Sequence, residues 1–514
     1  MTKEGELDIK DLELIDMDSE TQPMTADGAG AAEKNGTVKI KVPEEEVKFT
    51  GLSKDELMKV AGTAGWVRTR WVLLGLFWLG WLGMLAGAIV IIVQAPRCQP
   101  IPEMNWWNDG PLYQIDDLSA FTEEGQIKGV EEKLDMLNQL KVKGLLLGPF
   151  HQAQANQLST LDLQKIDPAK GTLEELQSLM EKAHKKGISV VLDLTPNYLG
   201  NKPWFSGGKS VEVMEKLKEA AKYWLDLGVD GIKVSDLGAA SAMVDWQSIP
   251  DTTLNNDTET ELPRKKALIG VVSGKSVSQV SELLNTSSVN LLVSDLLTNI
   301  TGGAERAQAI QLLLDRNDPR NVGWTLGAAT STHLANEAKT PELVKLYQLL
   351  LFTLPGTPVF LYGDEIGLQA QGKESPMMLW DIEKEPEEGA AVNETAEADR
   401  KARVENRKWF KTLSDLRGKE RSLLHGEYHT LNSSGSALAY LRLWDQSDRY
   451  VVAVNWGSAP ATLTPRSTGK AELPSEALVR LSTDTELEVD AMVSLKAITL
   501  GPGRGVLLQF PFTS

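Results

Sequence analysis

The chain has 514 residues, enough for about three domains of roughly 150 residues each, and its 42% hydrophobic and 24% charged content excludes a fully disordered or collagen-like chain. Its 53 basic and 71 acidic residues leave a net charge of −18, which argues against a nucleic-acid binder. Five histidines and one cysteine leave little for a His/Cys metal centre or a disulfide framework, and a mean hydropathy of −0.21 excludes several membrane spans though not one.

Residues 1–50 carry 13 Asp and Glu against 6 Lys, with few aromatics, the composition of a disordered tail; we assign 1–70 to it. Trp71 to Val93 then runs 23 residues without a charge. At 1.5 Å per residue that is roughly 34 Å, enough to cross a hydrocarbon core of about 30 Å. It is too long and too far from the N-terminus for a cleaved signal peptide. Arg68 and Arg70 precede the stretch, whereas Arg97, Glu103 and Asp109 follow it. The bias of positive charge places the N-terminus in the cytoplasm and the rest outside, a type II arrangement. Gly80, Gly83 and Gly87 share one face of this helix and would let a second helix approach closely.

Cys98 lies five residues after the span, in a neck (94–105) stiffened by Pro96, Pro100 and Pro102. With no second cysteine in the chain it implies an intermolecular bond or a free thiol, and its height above the bilayer suits a bond to another membrane protein.

Beyond the neck, short apolar runs alternate with amphipathic stretches. Gly144–Leu147, Ile188–Leu192, Ile232–Val234, Ala267–Val272, Asn290–Val293 and Thr357–Leu361 read as strands. Ile127–Leu140, Leu173–Lys186 and Val211–Leu227 read as helices. Repeated βα units over this length predict a parallel (β/α)8 barrel, which we assign to 106–405. From about Trp409 the pattern changes. Tyr440–Trp444, Tyr450–Asn455 and Val506–Phe510 read as antiparallel strands, so a β-sandwich is expected over 406–514.

The segment LPGTPVFLYGDEIGL, Leu354 to Leu368, resembles the eighth-strand signature of the α-amylase family. Gly129–Phe150, Lys186–Tyr198, Leu227–Val234 and Met377–Asp381 extend that resemblance across the region from Trp106 to Ser514. The resemblance implies a retaining glycosidase site, which needs a carboxylate nucleophile and a carboxylic acid about 5–5.5 Å apart. Where the family carries G-F-R-x-D after the fourth strand, this chain has Gly231, Ile232, Lys233, Val234 and Ser235. Serine therefore stands at the nucleophile position, and Lys233 replaces an arginine whose planar fork it cannot reproduce. No acid occurs between Glu261 and Glu282, where the general acid belongs, nor between Asp318 and Glu337, where the third carboxylate belongs. The first-region motif survives as Asp193 and Asn197, with Tyr198 in place of histidine. Asp236 could substitute for the nucleophile only if a bulge turned it to the other face. Asp364 and Glu365 are typical of the family and are expected to be structural. No catalytic residue, cofactor or metal is expected.

Asn256, Asn285, Asn299, Asn393 and Asn432 head N-x-S/T sequons on the outer side, consistent with secretory processing, while Asn35 lies in the tail and should stay unmodified. A tail, one span, a membrane-proximal cysteine and an amylase-like region without its carboxylates together resemble the heavy subunits of heteromeric amino-acid transporters, on the 4F2 side of that family. The resemblance implies a type II plasma-membrane glycoprotein linked through Cys98 to a polytopic light chain. The light chain would carry the amino acid, and the heavy chain would bring it to the surface and stabilise it there. It also implies integrins, through their β subunits, as further partners. A membrane-anchored α-glucosidase using Asp236 and a stand-alone adhesion or signalling receptor are the alternatives.

Overall fold

The computed structural model describes residues 53–94, 98–124, 126–200, 204, 210–237, 265–372, 375–384, 394–467, 469 and 472–512. The chain divides into an N-terminal unit ending at Pro96 and a second unit from Arg97 to Ser514.

In the first unit, Lys54–Ala61 forms a helix started by a capping box in which Ser53 and Glu56 satisfy each other's backbone N–H groups. A second helix follows over Ala64–Gln94, 31 residues or about 46 Å. It begins seven residues before the apolar stretch, so Arg68 and Arg70 lie on its first turns rather than in a preceding loop. None of its residues is buried within the structure, as a lipid-facing helix requires.

The second unit is built on eight parallel strands closed into a barrel. They are β1 (Leu112–Ile115), β2 (Gly144–Leu147), β5 (Ser189–Asp193), β6 (Gly231–Ser235), β7 (Ala267–Val272), β8 (Leu291–Ser294), β9 (Val322–Trp324) and β10 (Thr357–Leu361). Each neighbours the next in chain order, and β10 closes on β1. The hairpin β3 (His151–Gln154) and β4 (Gln157–Ile166) projects between β2 and the helix Leu173–Lys185. Sequences such as GLLL, ALIGVV and TPVFL are buried throughout. They lack polar alternation because side chains fill the barrel on one face and helices cover the other.

The helices follow local rules. Leu173–Lys185 starts at a capping box of Thr172 and Glu175 and buries Leu176, Leu179, Met180 and Ala183, one face at helical spacing. The single helix expected over Ile127–Leu140 is instead two, Ile127–Glu132 and Leu134–Gln139. The Lys133 N–H turns back to the Val130 carbonyl, 3.1 Å away, a 3-10 contact that ends the first helix.

The antiparallel region begins later than the composition suggests. Glu394–Lys419 is one continuous helix running through Trp409, because Phe410, Leu413, Ser414 and Arg417 are buried at i, i+3, i+4 and i+7. A six-stranded sheet follows, in the order β11 (Glu427–Ser434), β12 (Ala437–Leu443), β13 (Arg449–Asn455), β18 (Arg504–Phe510), β15 (Glu476–Ser482), β16 (Met492–Ser494). Strand alternation divides its side chains. Leu438, Tyr440, Val452, Val454 and Leu507 join the barrel's core. Ala439, Leu441, Val451, Ala453 and Leu508 form a second core with β14 (Ala461–Leu463) and β17 (Ile498–Leu500).

Candidate functional site

Parallel strands bring all their C-terminal ends to one rim, the place where barrels of this kind carry chemistry. On this rim Asp193 ends β5 and is directly opposite Lys233 of β6 in the strand register. The Lys233 Nζ lies 2.8 Å from Asp193 Oδ2 and 3.9 Å from Asp116 Oδ1, just past the end of β1. The lysine and Asp193 side chains are each 4% exposed and that of Asp116 is 17% exposed. Burial alone would depress the Lys233 amine, but Asp193 and Asp116 outweigh it and hold it above the ordinary lysine value. Burial raises the Asp116 carboxyl by more than Lys233 lowers it. One ammonium thus sits between two carboxylates. The other oxygen of Asp193 accepts the Thr195 backbone N–H at 2.8 Å and the Thr195 hydroxyl. Thr195 Oγ1 accepts in turn from the Ser235 N–H at 2.9 Å.

Ser235 is half-buried at the end of β6 and pairs with Val271 of β7. The register from Gly231–Ala267 to Ser235–Val271 runs without a shift, so no bulge redirects the chain here. Asp236 is exposed, beyond the strand, with φ of 57°. At the fifth-strand position Val271 and Val272 are buried and apolar. On the seventh strand Trp324 is buried with its Nε1–H donating to the Pro355 carbonyl at 2.6 Å. Beyond it Thr325 caps the Ala328 N–H at 3.0 Å. Apolar packing and turn bonds fill the two regions where the family's acids would stand.

Tyr198 is half-buried and donates its hydroxyl to the His151 carbonyl at 3.3 Å. Its ring meets the His151 ring edge-on at 5.0 Å. Burial pushes the His151 imidazole down to about 4, so it is neutral at pH 7. Asn197 adopts φ of 53° and accepts the Asn156 N–H at 2.7 Å. Asp364 accepts backbone N–H groups from Leu334 and Leu361, each at 2.8 Å. Glu365 accepts the Tyr113 hydroxyl at 3.1 Å, and burial pushes its carboxyl up to about 7. Both acids pin the turn after β10 to its neighbours and are themselves buried.

Asp116, His151 and Asp295 were not singled out from the sequence. Asp116 and His151 lie outside the segments that carry the resemblance. Asp295, just past β8, accepts the Gly274 N–H at 2.9 Å, and burial raises its carboxyl. Among the described residues no cluster of three or more His, Cys, Asp or Glu is arranged to hold a metal ion.

Cys98 is exposed, and the next residue's N–H donates to Asp445 at 3.1 Å, tying the neck to the loop after β12. Gly80, Gly83 and Gly87 lie on the apolar helix, and a Cβ added at any of them would meet nothing within 4 Å. Asn285 and Asn299 are exposed. Asn432 is half-buried at an irregularity of the β11–β12 pairing. Asn256 and Asn393 lie outside the described residues.

This architecture defines a class: an amylase-type barrel with a C-terminal β-sandwich, in a chain that also has one long apolar N-terminal helix. The Nostoc punctiforme debranching enzyme shares the fold, with a TM-score of 0.58 and 18% identity over 80% of this chain and 100% of that one. The family profile "Alpha amylase, catalytic domain" matches residues 109–211, and "Solute carrier family 3 member 2 N-terminus" matches residues 37–113. The Mus musculus amino acid transporter heavy chain SLC3A2 is 43% identical over 538 residues, covering 100% of both chains. The Rattus norvegicus heavy chain SLC3A1 is 24% identical over 99% of this chain and 92% of its own length. The chain belongs to the amino acid transporter heavy chain family, on its SLC3A2 branch.

Proposed function

We propose that this protein is the non-catalytic heavy chain of a heteromeric amino-acid transporter. Its N-terminus is cytoplasmic, and the unit from Arg97 onward stands outside the plasma membrane and carries N-linked glycans. Cys98 forms the disulfide to a polytopic light chain, the face of Gly80, Gly83 and Gly87 packs against one of that chain's helices, and the light chain moves the solute. The observation that carries this reading is the full-length likeness to SLC3A2 heavy chains. The exposure of Cys98 and the open glycine face agree with it.

The rim supports the non-catalytic part. Acid–base chemistry needs one carboxylate free to attack and another free to protonate. Here Lys233 engages Asp193 and Asp116 together, and valines stand at the fifth-strand position. A tether at Cys98 raises the effective concentration of the partners to the millimolar range, so modest contacts elsewhere persist.

Non-reducing electrophoresis of native membranes tests the proposal. We expect a band larger than the chain by one polytopic protein, collapsing with thiol. Cys98→Ser should abolish that band while leaving co-purification in mild detergent. A chain that migrates alone without reductant, with no transporter recovered beside it, would overturn the proposal.

A further inference from the structure

The stretch from Trp71 to Val93 contains no hydroxyl, amide, carboxyl or imidazole side chain. Its strong side-chain hydrogen-bonding groups are the indole N–H donors of Trp71, Trp78 and Trp81, and an indole nitrogen donates without accepting. Trp71 stands at the edge of the span, where an aromatic ring keeps its N–H among headgroups and water. Trp78 and Trp81 stand seven and ten residues further in, about 10 and 15 Å along the axis at 1.5 Å per residue. In a hydrocarbon core about 30 Å thick that is between a third and half of the way across. Helical side chains lean toward the N-terminus, which brings the Trp78 ring a few ångströms nearer the surface but leaves Trp81 deep.

Both rings are open to contact. Trp78 is 51% exposed and Trp81 45%, and they meet edge-on with centroids 5.6 Å apart. Among the described residues neither indole N–H has a hydrogen-bond acceptor. The backbone carbonyls beside them are engaged in the helix itself. Lipid tails carry no acceptor, and the oxygens of headgroups and sterols lie at the surface. A donor left alone in hydrocarbon costs free energy, so a match for Trp81 comes from another protein helix. A second copy of this span brings no acceptor side chain, by its own composition. At about 100° per residue Trp78 and Trp81 lie about 60° apart, on the side of the helix roughly opposite Gly80, Gly83 and Gly87.

We propose that Trp78 and Trp81 form a second contact with the light chain, on which a hydroxyl or amide side chain at this depth accepts from the indole N–H groups. Such a contact presupposes the heavy-chain function proposed above and adds to it a face, a depth and the chemistry of the partner. The glycine face admits a helix by shape, whereas the indole face selects one by its acceptor.

The test uses the full-length chain in native membranes. Photoreactive p-benzoylphenylalanine in place of Trp78 or Trp81 should cross-link to the same polytopic protein that thiol releases from Cys98. In a Cys98→Ser background, where no disulfide holds the pair, Trp81→Phe should lower recovery of that protein in mild detergent about three-fold, the effect of an average hydrogen bond between membrane helices, and Trp78→Phe by less. Trp71→Phe, which loses a donor that water satisfies, should leave recovery unchanged. Adducts with lipid or with a second copy alone, or unchanged recovery in both Trp81→Phe and Trp78→Phe, overturn the proposal, while a thiol-sensitive band in the parent membranes keeps the heavy-chain function in place. Absence of that band overturns both.

Discussion

Replacing Lys233 by methionine removes the cation that, among the described residues, touches both Asp193 and Asp116 at the barrel rim. At an effective dielectric of about 20, the contact at 2.8 Å is worth about 6 kcal/mol and that at 3.9 Å about 4 kcal/mol before desolvation. Withdrawing the ammonium from water offsets several kcal/mol of this, and breaking a buried pair from one side usually costs about 3–5 kcal/mol net. With about 2.1 cal/mol/K of unfolding entropy per residue over roughly 400 residues, that corresponds to a fall of about 4–6 °C in Tm. Tryptophan fluorescence of the full-length chain in detergent during heating is a suitable assay.

The pH dependence separates charge from packing. In Lys233→Met, two buried carboxylates lose their counter-ion, so their pKa values rise in the folded state. A raised folded value means stability that is present below the unfolded value near 4 and lost as pH rises through the folded one. The variant's deficit should therefore be largest at pH 7.5 and shrink toward pH 4.5. Lys233→Arg, which restores a fork and a permanent charge, should stay closer to the parent. A deficit below about 1 kcal/mol at pH 7.5, or one that is flat with pH, would refute the argument that Lys233 neutralises the rim.

Glu365→Gln should stabilise the protein at pH 8 by about 3 kcal/mol and make no difference near pH 4, because burial holds the folded carboxyl near 7 and its stability contribution disappears as pH rises through that value; chemical denaturation at the two pH values checks this. Gly303→Ala should cost about 1–3 kcal/mol, since its Cβ would stand 2.2 Å from the Ala437 carbonyl, backbone that cannot step aside; unfolding midpoints would show it. Ser235→Asp restores a carboxylate at the nucleophile position, yet with Val271 and Val272 unchanged it should release no sugar from maltose-type α-glucosides above a buffer blank. Measurable turnover would reopen the glycosidase reading.

Much of the barrel is legible because its strands are buried on both faces. All six strands read as apolar runs start and end within a residue of the observed elements. The two that were missed, β1 and β9, are four and three residues long, and LYQI and VGW give no periodicity to detect. Glu394–Lys419 is dominated by charge, and its buried stripe starts only at Arg407, so its continuation past Trp409 is visible only once something packs against it. The site divides the same way. Ser235, Lys233 and the valines can be placed by counting along strands, but Asp116 meets Lys233 only through closure, with β2 and β5 between their strands.

The two ends of the barrel differ in how their charge is balanced. A working glycosidase keeps carboxylates exposed to its substrate and accepts the destabilisation of unpaired charge. At this rim Asp193 and Asp116 are ion-paired by Lys233 and Asp364 is hydrogen-bonded to the backbone, an arrangement that serves stability. At the opposite end two buried guanidiniums are held by carbonyls alone, and burial has moved both below the ordinary arginine range.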